Sequence, residues 1–146
     1  MREIKFRLIR AGKVVGYEVH LDVGGTGGMI IWHMPLGGES SNIRLIPHAY
    51  VLHDSKDQFT GLKDKNGVEI YEGDVLEDAS PLGATERNHK RRGTGLVRWS
   101  NKGAVFCLRW FNIGGSWLDP ALSDMLARYN TVIGNRRENP SLLEGE

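Results

Sequence analysis

The 146-residue sequence has a single cysteine, Cys107, so no disulfide can form within the chain. One thiol also excludes a cysteine-rich zinc site, which needs several thiolate ligands. So few cysteines are typical of proteins that work in a reducing compartment, and we expect a cytoplasmic protein. Cys107 lies within a predicted strand, which favours a packed thiol over a nucleophile.

The sequence also lacks an excess of either charge and any long apolar run. Lys and Arg together number 19 and Asp and Glu 18, so no global field would draw the whole molecule to nucleic acid or to an anionic membrane. No apolar run approaches the length that spans a bilayer, and residues 1–5 alternate charged with apolar side chains, unlike a signal peptide. Any basic site must therefore be local, and we expect no membrane partner.

What the sequence does have is glycine, 19 residues of it, between short segments that alternate apolar with polar side chains. Residues 4–8 and 17–23 follow this period of two, which predicts a β-hairpin near the start, each strand with one buried face. The glycine-rich segment 24–28 lacks the Lys-Ser or Lys-Thr ending of a Walker loop, and no helix follows it as a dinucleotide fingerprint requires. We interpret it as a flexible hairpin end that leads into a strand over residues 29–34.

The rest of the chain predicts short strands at the spacing of a small barrel, with one helix. The predicted strands cover residues 50–52, 75–76, 95–99, 104–111 and 131–133. Segment 104–111 is apolar on both faces, which predicts a central strand. The helix is predicted to begin at Asp119 as N-cap, with Pro120 in its first position. A second cap-and-proline pair, Asn139 and Pro140, predicts a terminal helical turn.

Two turns are predicted close together in the middle of the chain. Asn66 and Gly67 form a pair that readily takes positive backbone angles, which indicates a tight turn. Gly73 and Asp74 form a second reversal. Because an aspartate beside a glycine at a turn usually accepts hydrogen bonds from nearby backbone amides, we interpret this stretch as scaffold rather than as a reactive site.

The same stretch carries a resemblance to the YopX family of small bacteriophage and prophage proteins. The matching motifs are Gln-Phe-Thr-Gly-Leu-Lys-Asp-Lys-Asn-Gly at residues 58–67 and Glu-Ile-Tyr-Glu-Gly-Asp-Val at residues 69–75. Arg-Glu-Ile-Lys-Phe-Arg at residues 2–7 matches the start of the family. Val-Ile-Gly-Asn at residues 132–135 and Glu-Asn-Pro at residues 138–140 match its end, so the resemblance spans nearly the whole chain.

The resemblance implies a mainly β domain over residues 1–146, of phage origin. In it, an N-terminal β-hairpin lobe at residues 1–57 precedes an SH3-like small β-barrel at residues 58–146, which carries the one short helix. Two departures weaken inference about the loops. Residues 8–10 replace the Ala-Trp-Asp that usually follows the opening motif, and residues 79–93 resemble a variable insertion. We know of no catalytic activity assigned to the family, so it names no catalytic residue to transfer.

The candidate reactive groups do not converge in sequence. Glu69 and Glu72 point to opposite faces if the piece between them is extended, so they form no acid–base pair. His53 with Asp54 and Asp57 is the best candidate for a metal site, and an exposed polar loop is the favoured interpretation of these three residues. We therefore predict no catalytic residue, no metal, no cofactor and no enzymatic activity.

One local basic segment stands out between residues 79 and 93. Its candidate nucleic-acid-binding residues are Arg87, His89, Lys90, Arg91 and Arg92. Cations can neutralise phosphates, and Trp99 in the following strand could stack on a base, as in single-strand binders built on small barrels. A solvated loop and core tryptophans are the favoured interpretation, since the net charge of the chain is only +1.

Two functions of different classes remain. The first is a non-enzymatic accessory protein that binds a host or phage protein through loops or a sheet edge, with self-association as a further option. The second is a nucleic-acid-binding module that uses the basic segment. We favour the first, partly by analogy with other small β domains.

Overall fold

The computed structural model describes residues 3–22, 24–25, 28–36, 50–78, 94–111 and 121–143, and it confirms a mainly β protein. The strands are β1 (Ile4–Arg10), β2 (Lys13–Asp22), β3 (Met29–Pro35), β4 (Ser55–Lys63), β5 (Glu69–Tyr71), β6 (Asp74–Asp78), β7 (Thr94–Ser100), β8 (Val105–Phe111) and β9 (Asn130–Asn135). One α-helix, α1 (Asp124–Arg128), and one 3-10 helix (Pro140–Leu143) complete the described elements. The chain divides into two units, Met1–Phe59 and Thr60–Glu146.

The first unit is an antiparallel sheet built around the predicted hairpin. Its strands stand in the order β3-β2-β1-β4, so β3 is an outer strand. The turn between β1 and β2 is tight because Ala11 and Gly12 both take positive φ angles, 50° and 75°. Such paired angles twist the chain in the sense that matches the two flanking strands. β4 continues past Phe59 into the second unit, where its neighbour is β5.

Both faces of this sheet hold buried side chains, so the prediction of a single buried face is wrong. Leu8 and Ile9 are both buried although they are consecutive, because a register shift between them interrupts the alternation. Arg7 and Asp57 are buried as a pair, with Arg7 Nη2 donating to Asp57 Oδ2 at 3.2 Å. Ile4, predicted to be buried, is exposed.

The second unit contains a four-stranded antiparallel sheet in the order β8-β7-β6-β9. Its buried apolar cluster consists of Ile70, Leu76, Val97, Phe106, Leu108, Leu122 and Ala127. We predicted a central strand here, and this is wrong, because β8 stands at the end of the sheet. The outer side of β8 is covered in part, because Ala121 forms a bridge with Cys107 and the Leu122 amide donates to the Phe106 carbonyl at 2.8 Å.

The helix begins later than predicted, and this follows from the same pairing. Ser123 is the N-cap, and its hydroxyl accepts a hydrogen bond from the Leu126 amide at 3.1 Å. Ala121 is paired with β8 and so cannot lie in a first helical turn; Asp119 lies outside the described residues. In the part of the chain that the structure describes, no helix is long and apolar enough to cross a bilayer. The predicted terminal turn is confirmed as the 3-10 helix Pro140–Leu143.

The turns of the second unit are held by side-chain acceptors. Asp64 Oδ1 accepts from the amides of Asn66 and Val68 at 2.8 and 2.9 Å, and Gly67 takes a φ of 80°. Gly73 takes a φ of 84°, and Asp74 Oδ2 accepts from the Tyr71 amide at 2.8 Å. The polar residues of this stretch therefore satisfy backbone donors that the turns would otherwise leave unpaired.

Gly73→Val should destabilise the fold by about 1 to 3 kcal/mol, because a β-branched residue is strained at positive φ. The Gly73 amide also donates to the Val97 carbonyl, and its carbonyl accepts from the Arg136 amide, so a shifted turn would disturb both contacts. Urea unfolding followed by circular dichroism measures the loss. Lys102→Val, in the exposed turn before β8 and at ordinary φ, is the matched control and should stay near the parent. Equal midpoints for parent and Gly73→Val would contradict the prediction.

Candidate functional site: the Glu18 cluster and the β3 edge

A buried carboxylate lies at the centre of the first unit. Glu18 on β2 stands directly opposite His33 on β3 and Phe6 on β1. Its side chain is 7% exposed and that of His33 only 5%. His33 Nε2 donates to Glu18 Oε2 at 2.9 Å, while His20 Nε2 and Lys56 Nζ donate to Glu18 Oε1 at 2.7 and 3.1 Å. We call these four residues, Glu18, His20, His33 and Lys56, the Glu18 cluster.

The backbone partners of the histidines fix where their protons lie. His33 Nδ1 accepts a hydrogen bond from the Val51 amide at 3.0 Å, so its single proton must be on Nε2, where it is donated to Glu18. His53 Nδ1 donates to the Val51 carbonyl at 2.8 Å. The rings of Tyr50 and His53 lie 4.8 and 5.7 Å from that of His33. Segment 50–53 is thus not the predicted strand; it is a cover over His33.

Hydrogen bonding keeps Glu18 ionised despite its burial. Burial alone would raise the pKa of Glu18, because a charged carboxylate loses hydration. The hydrogen bonds from His20, Lys56 and His33, together with the charge of Lys56, outweigh that effect and lower the pKa of Glu18 from 4.5 to about 2. The Lys56 ammonium also lies 4.5 Å from the centre of the Phe6 ring. The cluster therefore holds a permanent negative charge at neutral pH, matched by a lysine.

This arrangement positions strands and offers little for chemistry. Both oxygens of Glu18 accept hydrogen bonds within the cluster, and both ring nitrogens of His33 have partners, so the His33 ring has no nitrogen left for a substrate. Among the described residues, no group of three or more His, Cys, Asp or Glu side chains could hold a metal ion. What the cluster does is tie the outer strand β3 to β2 and to β4.

His53, Asp54 and Asp57, the best candidate for a metal site in the sequence, each bind a different partner in the structure. The His53 ring donates to backbone, as above, and Asp57 pairs with Arg7. Asp54 Oδ2 accepts from the Ala11 amide at 2.9 Å, and its Oδ1 accepts from the Ser55 hydroxyl at 3.1 Å. These side chains thus hold the β1–β2 turn, the backbone of segment 50–53 and Arg7 on β1.

Beside the cluster, the far end of the β2–β3 hairpin is apolar and exposed. Met29, Ile30 and Ile31 are 56%, 42% and 57% exposed, and Leu21 on β2 is 46% exposed. Because neighbouring residues on a strand point to opposite faces, the exposed apolar surface wraps both sides of β3. Among the described residues no strand is paired with the outer side of β3. We call this surface, from Met29 to His33 along the outer strand, the β3 edge.

The predicted nucleic-acid residues are mostly outside this description. Residues 87–92, the basic segment, lie among those that the structure does not describe. Trp99 is 38% exposed, and its ring meets that of Phe106 edge-on at 5.0 Å. Thr94, where the described part of β7 begins, is five residues before Trp99, which corresponds to about 17 Å along an extended strand. Residues 87–92 lie outside the described part of the chain, so a site shared by them and Trp99 stays a prediction.

Sequence reasoning missed the Glu18 cluster and treated its histidines as scattered. Glu18 and His20 are two residues apart on one strand, which places them on one face. Their contact with His33 depends on the pairing of β2 with β3, and that register depends on the geometry of the connection between them. The available signal was the hairpin itself: counting outward from a tip near residue 25 would have placed His33 opposite Glu18.

One of the comparisons with known proteins identifies a family. A family model described as YopX protein matches residues 39–144. No curated protein matches the chain. Among solved structures, one described as the crystal structure of protein EF1440 from Enterococcus faecalis is 26% identical; the match covers 97% of this chain and 98% of that one, with a TM-score of 0.45.

Glu18→Gln should destabilise the protein by about 2 to 3 kcal/mol at neutral pH. A glutamine amide presents a donor where the cluster needs an acceptor, and the His33 proton cannot move to Nδ1 because the Val51 amide occupies that atom. Since the pKa of Glu18 is lowered to about 2, its stabilisation is complete above pH 4.5 and is lost as the pH falls toward 2. The gap in stability between parent and variant should therefore narrow below pH 4.5.

Urea unfolding at pH values from 7 to 3 measures this gap. Asp22→Asn, an exposed acidic position on the same strand, is the matched control and should track the parent at each pH. A gap between parent and Glu18→Gln that is absent at pH 7, or constant down to pH 3, would contradict the assignment.

Proposed function

The chain belongs to the YopX family, and we propose that it is an accessory protein of a bacteriophage or prophage that acts in the host cytoplasm. Its action, in this proposal, is to bind another protein without catalysing a reaction. The observation that carries the proposal is the β3 edge, an outer strand with exposed apolar side chains on both faces. Exposed outer strands are recognised by extended segments of other proteins, which add to the sheet by backbone pairing.

The alternation of hydrogen bonds along β3 supports this mode of binding. The Leu36 amide donates to the Val15 carbonyl at 3.0 Å, so Leu36 and Val15 form a hydrogen-bonded pair. Hydrogen-bonded and non-hydrogen-bonded pairs alternate along an antiparallel ladder. Counting back by twos along the observed register, the backbone groups of Met29, Ile31 and His33 point away from β2. These are the donors and acceptors that a partner strand would use.

The side chains of the edge fit a protein partner better than a nucleic acid. Residues 29–34 carry no Lys, Arg, Asp or Glu, so the edge offers nothing to neutralise phosphates. Natural sheets usually blunt their outer strands with charged side chains, a proline or a covering segment. Here Pro35, which lacks an amide hydrogen, ends the edge on one side, and none of the described strands pairs with the outer side of the residues before it.

We also infer that the second unit is the SH3-like barrel that the resemblance implies. Four antiparallel strands support this inference, with a buried apolar cluster that includes Leu76, Val97 and Leu108. Short strands separated by turns are the pattern of small barrels. Closure of the sheet is the part of this inference that an experimental structure would test.

A nucleic-acid-binding module remains the second candidate. The basic segment that contains Arg87, Lys90, Arg91 and Arg92 favours it, together with the partial exposure of Trp99. The near balance of charge over the whole chain favours the first candidate.

The protein-binding proposal predicts a captured partner whose binding depends on Ile31. Tagged parent, Ile31→Lys and Ile133→Lys would be used to capture proteins from infected host cells, with and without nuclease, followed by mass spectrometry. Ile133 is exposed on β9 of the other unit and gives a matched control. We expect a protein, either untagged copies of this chain or a different protein, that the parent and the control retain after nuclease and that Ile31→Lys loses, and the purified partner should show the same difference in affinity. The proposal would be overturned if the parent and both variants captured the same proteins equally, or if nuclease abolished the capture.

The nucleic-acid candidate predicts binding that weakens steeply with salt, because each neutralised phosphate releases condensed counterions. Fluorescence anisotropy with single-stranded and duplex oligonucleotides would compare the parent with the combined variant Lys90→Ala, Arg91→Ala, Arg92→Ala. We expect weak or no binding at physiological salt. Micromolar or tighter binding that the triple variant abolishes without unfolding would place the function on the basic segment. Binding that survives the substitution would place it elsewhere.

A further inference from the structure

We propose that the partner of the β3 edge is a second copy of this chain, joined strand to strand about a twofold axis at Ile31. The inference rests on the proposed function, since it names the occupant of the same edge. Its basis is that the edge is complementary to itself in backbone groups, in side chains and in charge. Each of these follows from the observed register of β2 and β3.

The backbone allows one symmetric register that uses every outward group. Met29, Ile31 and His33 direct their amides and carbonyls away from β2, whereas Ile30 and Trp32 direct theirs toward it. An antiparallel twofold pairing must put outward-facing residues opposite one another, so its axis passes through one of residues 29–33. Centring on Ile30 would place His33 opposite residue 27, before the start of β3, and centring on Trp32 would place Met29 opposite Pro35. Centring on His33 would place Ile31 opposite Pro35, which has no amide to donate. Centring on Met29 would leave His33 beyond the start of the facing strand.

Centring on Ile31 satisfies all three residues. Ile31 then faces Ile31 of the second copy, and Met29 faces His33 on either side of the axis. Each of these three pairs exchanges two backbone hydrogen bonds. Pro35 lies just beyond the paired segment. Because it has no amide hydrogen, the ladder of backbone hydrogen bonds ends there. The register thus follows from the positions of one proline and three outward-facing residues.

In this register apolar side chains face each other, and no two like charges are brought together. On one face, the two Ile31 side chains meet at the axis, where each is now 57% exposed. On the other face, Ile30 of each copy meets Trp32 of the other, an aliphatic–aromatic pair of the kind that stabilises adjacent strands. No formal charge is brought against its like, because residues 29–34 carry no acidic or basic side chain other than His33. His33 is already held by Glu18 at 2.9 Å.

The Glu18 cluster makes the edge a fixed template. Because Glu18 holds His33 from one side and the Val51 amide holds it from another, β3 is ordered before any partner arrives. Pairing then costs less conformational entropy than it would for a free strand. A twofold pairing of two identical edges also closes on itself, so the assembly stops at two copies and does not grow into a fibre.

Cysteine cross-linking tests the register directly. In the proposed pairing the two Cα atoms of residue 31 are about 5.5 Å apart, within the Cα range of disulfides, and a small local shift of the two strands brings their Cβ atoms, about 5 Å apart, within bonding reach. Those of residue 30 are about 8 Å apart, since they are offset by two residues along facing strands. Ile31→Cys should therefore form a disulfide-linked dimer under mild oxidation, and Ile30→Cys, one residue away on the same exposed edge, should not. The parent is a second control, because its one cysteine, Cys107, is buried.

Light scattering after size exclusion provides the second readout. The parent and Ile133→Lys should show a mass that rises with concentration toward twice the 16.3 kDa of the monomer. Ile31→Lys, which places two ammonium groups against each other at the axis, should remain a monomer with an unchanged circular dichroism spectrum. A monomeric parent at all concentrations, a dimer that Ile31→Lys leaves intact, or equal cross-linking at residues 30 and 31 would overturn the inference.

The experiments distinguish failure of the proposed function, protein binding at the β3 edge, from failure of the inference that a second copy occupies that edge. A monomeric parent that still captures a purified phage or host protein in an Ile31-dependent way would reject the second copy and keep the edge as a binding site for another chain. A dimer that captures no different protein would keep the second copy as the occupant. Failure of both Ile31-dependent readouts would remove the edge from the function altogether.

Discussion

The hydrogen bonds to Glu18 are the contact on which the first unit depends. A carboxylate that is 7% exposed would be strongly disfavoured if it were left alone, because burial removes its hydration. Three donors from three strands, His20 on β2, His33 on β3 and Lys56 on β4, offset that cost. The buried charge needs these donors, and the donors reach it only when the strands are paired in the observed register. The strands must keep the register that delivers those donors, and a slip of one residue would move His33 to the opposite face.

In the other unit an aspartate plays the comparable part. Asp64 accepts from the amides of Asn66 and Val68 through one oxygen and from the Val132 amide on β9 through the other, at 2.8 to 2.9 Å. One side chain thus closes a turn and ties it to a strand 68 residues away in sequence. Asp64 and Asp74 of this acidic and glycine-rich stretch are thus occupied with backbone amides, and Glu69 accepts from the Tyr71 hydroxyl at 2.8 Å.

The sequence predicts those parts of the fold that depend on local alternation and on turn chemistry. The first hairpin, β3, β7 and the terminal turn are of this kind, and all are present. β4 was missed because its Lys-Asp-Gln and Thr-Gly-Leu lack alternation and include Gly61 at a φ of 85°. The helix start was misplaced because the pairing of Ala121 with β8, a tertiary contact, overrides a good local cap signal.

The candidate site was harder to predict for the same reason. Glu18 follows the polar phase of an alternating strand, and every local rule assigns such a residue to solvent. Its burial arises because segment 50–53 lies over that face, through a contact between Val51 and His33 that no sequence pattern encodes. A buried carboxylate on a nominally polar face therefore has to be found from pairing, by asking which residues of the neighbouring strands could supply its donors.

The position of the edge in the chain bears on how far the family can explain it. The matched region begins at residue 39, after the end of β3, so the Glu18–His33 contact and the exposed isoleucines lie before it. The family motifs account for the scaffold of the second unit, where Asp64 and Gly73 hold their turns. None of the family motifs falls on β3, the apolar outer strand of the first unit. An exposed edge of this kind is a liability for a soluble protein unless something covers it. The edge carries no formal charge over residues 29–34 and ends at Pro35, and the pairing proposed for it would cover its exposed isoleucines.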